Sequence, residues 1–203
     1  PLSSGLSGSY STAAMLAQEE KYKEKVYVVD HGRISTPLHQ SILDALEMIE
    51  EGLSANEIKL KLEQAKQKMA IFIAVDDLKY LRRGGRISSG AAVAGQILNI
   101  KPILSLDIGI LELYKKCRGL QKAKKTMIED IKTILSEQYS EEFKNGDIHL
   151  LAASSADDET TQRWVQDIKE AFPGHEVMCD YLSFGVTCHT GPGALGIGFS
   201  CRP

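Results

Sequence analysis

The chain has 203 residues, 43% of them apolar and 25% charged, with a formal net charge of −3. That length can bury a real core in one large or two small domains, and the near-neutral balance argues against a nucleic-acid partner. No apolar run reaches the roughly 18 residues of a membrane span, and no basic-then-apolar leader opens the chain.

Four cysteines in a chain this long do not make a disulfide scaffold. Cys117, Cys179, Cys188 and Cys201 form no Cys-x-x-Cys pair and read as reduced thiols of a cytoplasmic protein. Cys188 beside His189 would suit zinc chemically, but the accompanying ligand spacings are missing, so neither a metal nor a cofactor is expected.

Taken in order, a Ser/Gly loop (Ser3–Ser9) leads into a helix with Ala13, Leu16 and Ala17 on one face. Such loops in α/β proteins usually follow a strand, so the chain reads as the remainder of something longer. Val26–Asp30 reads as a short buried strand, and Ile42, Leu43, Leu46 and Ile49 recur at helical spacing through Ser41–Glu51. Ser54-x-x-Glu57 is a capping box opening a helix over Ala55–Lys68. Strand and helix in alternation predict a parallel sheet with crossovers. Ile71–Val75 is strand-like. Ile103–Leu106 and Ile110–Tyr114 flank a Gly-containing hairpin signal, Asp107-Ile108-Gly109. A long amphipathic helix follows over Leu120–Tyr139, then a strand (Asp147–Ser154), a helix (Glu159–Phe172), a strand (Glu176–Leu182), a Gly-Pro-Gly loop and a final strand (Ala194–Ser200). The fold class is α/β with two domains: the remainder of a parallel-sheet α/β domain over 1–69, and an α+β domain with a mixed or antiparallel sheet over 70–203.

Chemistry concentrates in three polar, Gly-rich loops. Ser3–Ser9 offers hydroxyls and backbone N–H groups at a helix start, which suit a carboxylate or phosphate; plain N-capping by Ser7, Ser9 or Ser11 explains the same residues. Arg82-Arg83-Gly84-Gly85-Arg86 offers planar guanidinium forks, or a solvated corner. His189-Thr190-Gly191-Pro192-Gly193 places a histidine where it would serve as a base or an anion donor, or simply pack. There is no G-x-S-x-G, no H-E-x-x-H and no carboxylate pair at a catalytic spacing. Trp164, on an amphipathic helix, reads as packing. Anion donors without an evident nucleophile favour binding over catalysis.

The stretch Leu78–Leu104 joins the arginine corner to a small-residue run (Ser88–Gly95) and an apolar exit. Together with LSGSY before the first helix, VDDLKYLRRGGRIS, ILNIKPIL, KKCRG before a helix, and HTGPGALGIGF near the C-terminus, it closely resembles the DegV family over nearly the whole chain. The resemblance implies an EDD-fold protein that holds one long-chain fatty acid between two domains. It also implies that the protein presents the acyl carboxylate to a fatty acid kinase catalytic subunit, with lipid exchange at a membrane surface compatible with that role. It assigns the carboxylate to Ser7 and Gly8, with His189 and Thr190 close by, and Arg86 to the surface facing the kinase or the phosphate. Ala91, Ala92, Val93 and Ile97 would line the tail by being small or apolar. Two departures stand out. The family's Thr-Ser-x-Pro-Ser segment has no counterpart in these residues. After Asp30, His31 stands for a serine while Pro37 and His39 replace glycines. The alternatives are a small-molecule enzyme related to dihydroxyacetone kinase-type domains, in which His189 would carry the chemistry, and a scaffold fragment without competence of its own.

Overall fold

The computed structural model describes residues 1–87, 99–107 and 110–203. Six strands form one sheet: β1 (Met69–Ala74), β2 (Ile100–Asp107), β3 (Ile110–Arg118), β4 (Ile148–Ser154), β5 (Val177–Tyr181) and β6 (Leu195–Cys201), in the order β3-β2-β1-β6-β4-β5. Only β4 and β5 pair in parallel; every other neighbour is antiparallel. The helices are α1 (Ser9–Ala17), α2 (Ser35–Glu50), α3 (Ala55–Gln64), α4 (Lys79–Gly84), α5 (Leu120–Gln138), α6 (Ser140–Asn145), α7 (Asp158–Ala171) and α8 (Phe184–Thr190). The result is a mixed α/β protein with helices on both faces of a largely antiparallel sheet.

Period-two alternation sorts the side chains between those faces. Ala70, Phe72 and Ala74 of β1, Ile148, Leu150 and Ala152 of β4, and Leu195, Ile197 and Phe199 of β6 pack against α5 and α7 in the main core. Trp164, fully buried on α7, donates its indole N–H to the Gly196 carbonyl at 2.9 Å and so fixes β6, consistent with its reading as a packing residue. The opposite face carries Ile71 and Ile73, Leu151 and Ala153, and Gly196 and Gly198.

The strands from Ile71 onward, the helix over Leu120 onward and the Ser54–Glu57 capping box stand where the sequence places them. Val26–Asp30 does not. Among the described residues the first strand is β1, and Val26–Asp30 joins no ladder. Side chains of α3 take up its backbone instead: Lys59 Nζ donates to the Val28 carbonyl at 2.8 Å, and the Asp30 N–H donates to Glu63 Oε1 at 3.1 Å. The parallel sheet expected for 1–69 is therefore absent from the described residues, which there form α1, α2 and α3.

Helix α2 has the expected period but the opposite facing. It buries Thr36, Pro37, Gln40, Ser41, Asp44 and Met48, while Ile42, Leu46 and Ile49 are more than half exposed. Spacing identifies an apolar stripe; it does not say which stripe meets the sheet.

Candidate functional site

An apolar cavity of about 570 Å³, counting the space open at its mouth, lies over the second face of the sheet. Its floor is Ile71, Ile73, Leu151 and Ala153 with Gly196 and Gly198, its flank Leu106 and Leu111. Leu6, Ile34, Ser35 and Pro37 close it from the N-terminal side, and Leu182, Val186 and Thr190 from the C-terminal side. The strand of alternating glycines is what opens the floor, since a side chain at Gly196 would project into this space.

Both covering sides also carry polar groups. The Ser/Gly loop is held from below by Asp30, whose carboxylate accepts from the Ser4 N–H (3.1 Å), the Ser4 hydroxyl (2.6 Å) and Lys66 Nζ (2.7 Å). Burial pushes this carboxyl up, but the Lys66 and Ser4 hydrogen bonds outweigh it and hold it at about 2. The anchored loop positions Leu6 over the cavity, with half-buried Ser7 next in line. Ser7 Oγ accepts from the Ser9 N–H at 3.2 Å, one residue before the N-cap Gly8, which leaves its proton available to a ligand. Gly8 is exposed and its carbonyl accepts the Thr12 N–H at 3.0 Å. Ser35, at the first turn of α2, lines the cavity with a buried hydroxyl that has no partner among the described residues, and its φ of 55° is unusual for a residue with a side chain. Nothing in the sequence singles out Ser35.

At the other wall, α8 ends in His189 and Thr190, then turns at Gly191. Gly191 has φ +81° and lies against the Tyr80 ring, so that an added Cβ would stand 2.5 Å from it. Ser155 fixes this turn by donating to the Gly191 carbonyl (2.7 Å) and accepting from the Ala194 N–H (3.0 Å). Thr190 is buried and lines the cavity. The half-buried His189 lays its ring on Gly84; an added Cβ there would overlap Nδ1. The first glycine of Arg82–Arg86 is thus required by the histidine of the distant Gly-Pro-Gly loop. The Gly84 carbonyl also accepts from exposed Arg86 Nη1 at 2.5 Å. His189 and Arg86 therefore share one residue, Arg86 on its outer side. Arg82 and Arg83 are exposed.

Ala91, Ala92, Val93 and Ile97 lie outside the described residues. Among the described residues, no group of His, Cys, Asp or Glu is arranged to hold a metal, and no helix is long and apolar enough to cross a membrane. All four cysteines are free thiols.

Fold and cavity together define a mixed α/β protein with an apolar chamber between its sheet and the segments covering one face. A family model described as "Uncharacterised protein, DegV family" matches residues 1–202, and the chain belongs to that family. A DegV domain-containing protein of Clostridium perfringens is 30% identical over 97% of this chain and 67% of its own length. One from Streptococcus pyogenes serotype M6 is 32% identical over 99% of the chain and 68% of its own. Among solved structures, a fatty-acid-binding DegV family protein from Thermus thermophilus superposes with a TM-score of 0.85 at 28% identity, over 98% of this chain and 69% of that one. DegV of Bacillus subtilis, described as a fatty acid binding protein, gives 0.79 at 30% identity, over 99% and 69%.

Proposed function

We propose that this protein binds a long-chain fatty acid, the tail in the cavity over Ile71, Ile73 and Leu151 and the carboxylate at the mouth, near Ser7, Gly8, His189 and Thr190. The observation that carries this is the cavity itself: apolar along its floor and flank, with the hydroxyl-bearing Ser35 and Thr190 in its lining. The fatty acid binding described for the relatives from Thermus thermophilus and Bacillus subtilis points the same way. Burial of the tail supplies most of the affinity, at about 0.8 kcal/mol per methylene before ordering costs. No cofactor enters this reading. The protein acts as a carrier that presents the carboxylate to a fatty acid kinase catalytic subunit, in the cytoplasm, with Arg86 on the surface that meets the kinase or the transferred phosphate.

Mass spectrometry of denatured protein tests the ligand directly. A co-purified acyl chain, or stoichiometric uptake of added fatty acid, is expected; finding neither refutes the reading. Arg86→Ala is expected to retain fatty acid while slowing acyl phosphate formation with the kinase. Equal loss of both would place Arg86 in the lipid site or in the fold.

A further inference from the structure

Six buried side-chain atoms make no hydrogen bond among the described residues: Arg33 Nε and Nη2, Ser35 Oγ, His149 Nε2, His189 Nδ1 and Ser200 Oγ. They divide between two places. Ser35 lines the cavity, and His189, near the end of α8, rests on Gly84. Arg33, His149 and Ser200 form a second group at the opposite end of the same sheet face.

That group is one cluster. His149 and Ser200 are cross-strand partners in β4 and β6. Each stands two residues beyond a cavity-floor residue, Leu151 and Gly198 respectively, so the pleat turns both toward the cavity side. Arg33, completely buried, precedes the cavity-lining Ile34 and reaches Asp44 with Nη1 at 3.5 Å and Ser41 Oγ at 2.8 Å. Asp44 in turn lies 3.4 Å from His149 Nε2, too poorly aligned for a hydrogen bond. The polar tier lies one pleat repeat beyond the cavity floor along β4 and β6, closed off from the cavity in this structure, so a ligand reaching it must part the side chains between.

We propose that this tier receives an oxygen atom of the ligand, making the preferred ligand a long-chain fatty acid that carries a hydroxyl or keto group away from its carboxylate. The inference rests on the fatty acid reading above. Its first support is cost: an unmade hydrogen bond at a buried group costs about 1–3 kcal/mol, and more at a charged one. Four such atoms in one place need a common acceptor and donor. The second is geometry, since Nε and Nη2 are the adjacent guanidinium pair whose N–H bonds run side by side and converge on one acceptor or fork onto two. Charge then selects among acceptors. Arg33 and Asp44 already offset each other, so a second carboxylate would leave an uncompensated buried negative charge, whereas a neutral oxygen adds none. A hydroxyl accepts from Arg33 and donates to Ser200 Oγ or an imidazole nitrogen, matching the mixed character of the cluster better than a keto group does.

The test is a hydroxyl walk. Delipidated protein is titrated with stearic acid and with its monohydroxy positional isomers. At one position or a short run of positions, affinity is expected to exceed that of stearic acid by about tenfold. Ser200→Ala should cut that preference while leaving stearic acid binding unchanged. The paired change Arg33→Met with Asp44→Leu, which removes both buried charges together, should abolish it. Isomers that all bind no better than stearic acid overturn the inference and leave the fatty acid reading standing. Failure of every acyl chain to bind refutes that reading and this one with it. A preference that survives Ser200→Ala undiminished also overturns it, because the oxygen is then read elsewhere.

Discussion

Replacing Gly196 with progressively larger apolar residues should set stability and ligand binding against each other. A Cβ at this position would lie 3.6 Å from the carbonyl oxygens of Ala153 and Phe72 and 3.7 Å from the Ala153 methyl, ordinary contacts that require no rearrangement. Glycine within a strand is about 0.5–1 kcal/mol less favourable than alanine, so Gly196→Ala should raise thermal stability slightly. Valine and then leucine push further into the cavity. Leucine introduces four carbons where the acyl tail would lie. At about 0.8 kcal/mol per displaced methylene the loss is about 3 kcal/mol, a weakening of roughly two hundredfold. The assay pairs displacement of a fluorescent fatty acid with circular-dichroism melting across the Ala, Val and Leu series. Affinity should fall stepwise while the melting temperature holds or rises. Unchanged affinity in a folded Gly196→Leu protein would show that the tail lies elsewhere. A parallel fall in both would mean that the position is packed tightly rather than open.

Two further predictions concern the mouth and the covering segment. Gly84→Ala drives a methyl into the His189 ring; the imidazole must swing away, at an overpacking cost of about 1–3 kcal/mol. The His189 ring resonances should shift, and fatty acid affinity should fall even though residue 84 touches no ligand; an unchanged imidazole environment refutes the contact. Burial, and then the positive charge of Arg33, lower the His31 pKa from 6.5 to about 4. The unfolded chain therefore binds a proton that the folded one refuses: the stability contribution is full above pH 6.5 and is lost as pH falls toward 4. The shift amounts to about 3 kcal/mol over that window. Denaturant titrations at pH 7 and 5 should show the decline in the wild type and a shallower one in His31→Asn; equal slopes would refute it.

Much of the architecture was legible because it is local. The apolar runs of β1, β4 and β6, the capping box at Ser54 and the period of α5 each declare themselves within a few residues. So did the polar loops at Ser7 and His189. What escaped depends on contacts across the chain. The Val26–Asp30 segment has strand composition, but α3 side chains rather than a neighbouring strand take its hydrogen bonds. The Arg33–Asp44–His149 cluster joins residues whose spacing carries no motif. Gly84 looked like turn chemistry until His189 was seen resting on it. Ser35 lies outside the helix read over Ser41–Glu51, and only its φ and buried hydroxyl mark it.

The inverted seating of α2 has a kinetic consequence. A helix that turns its aliphatic side outward is held to the sheet by directional contacts instead of by area: Thr36 to the Ala152 carbonyl at 2.7 Å, His39 to Asp180 at 3.0 Å, and Asp44 to His149 at 3.4 Å. Such bonds fix position sharply but give way abruptly, because each fails over a fraction of an ångström. Helix α2 should therefore detach as a unit well before the α5–α7 side of the sheet loosens. Its amides would exchange with solvent hydrogen early and together, opening the cavity from the side without unfolding the protein.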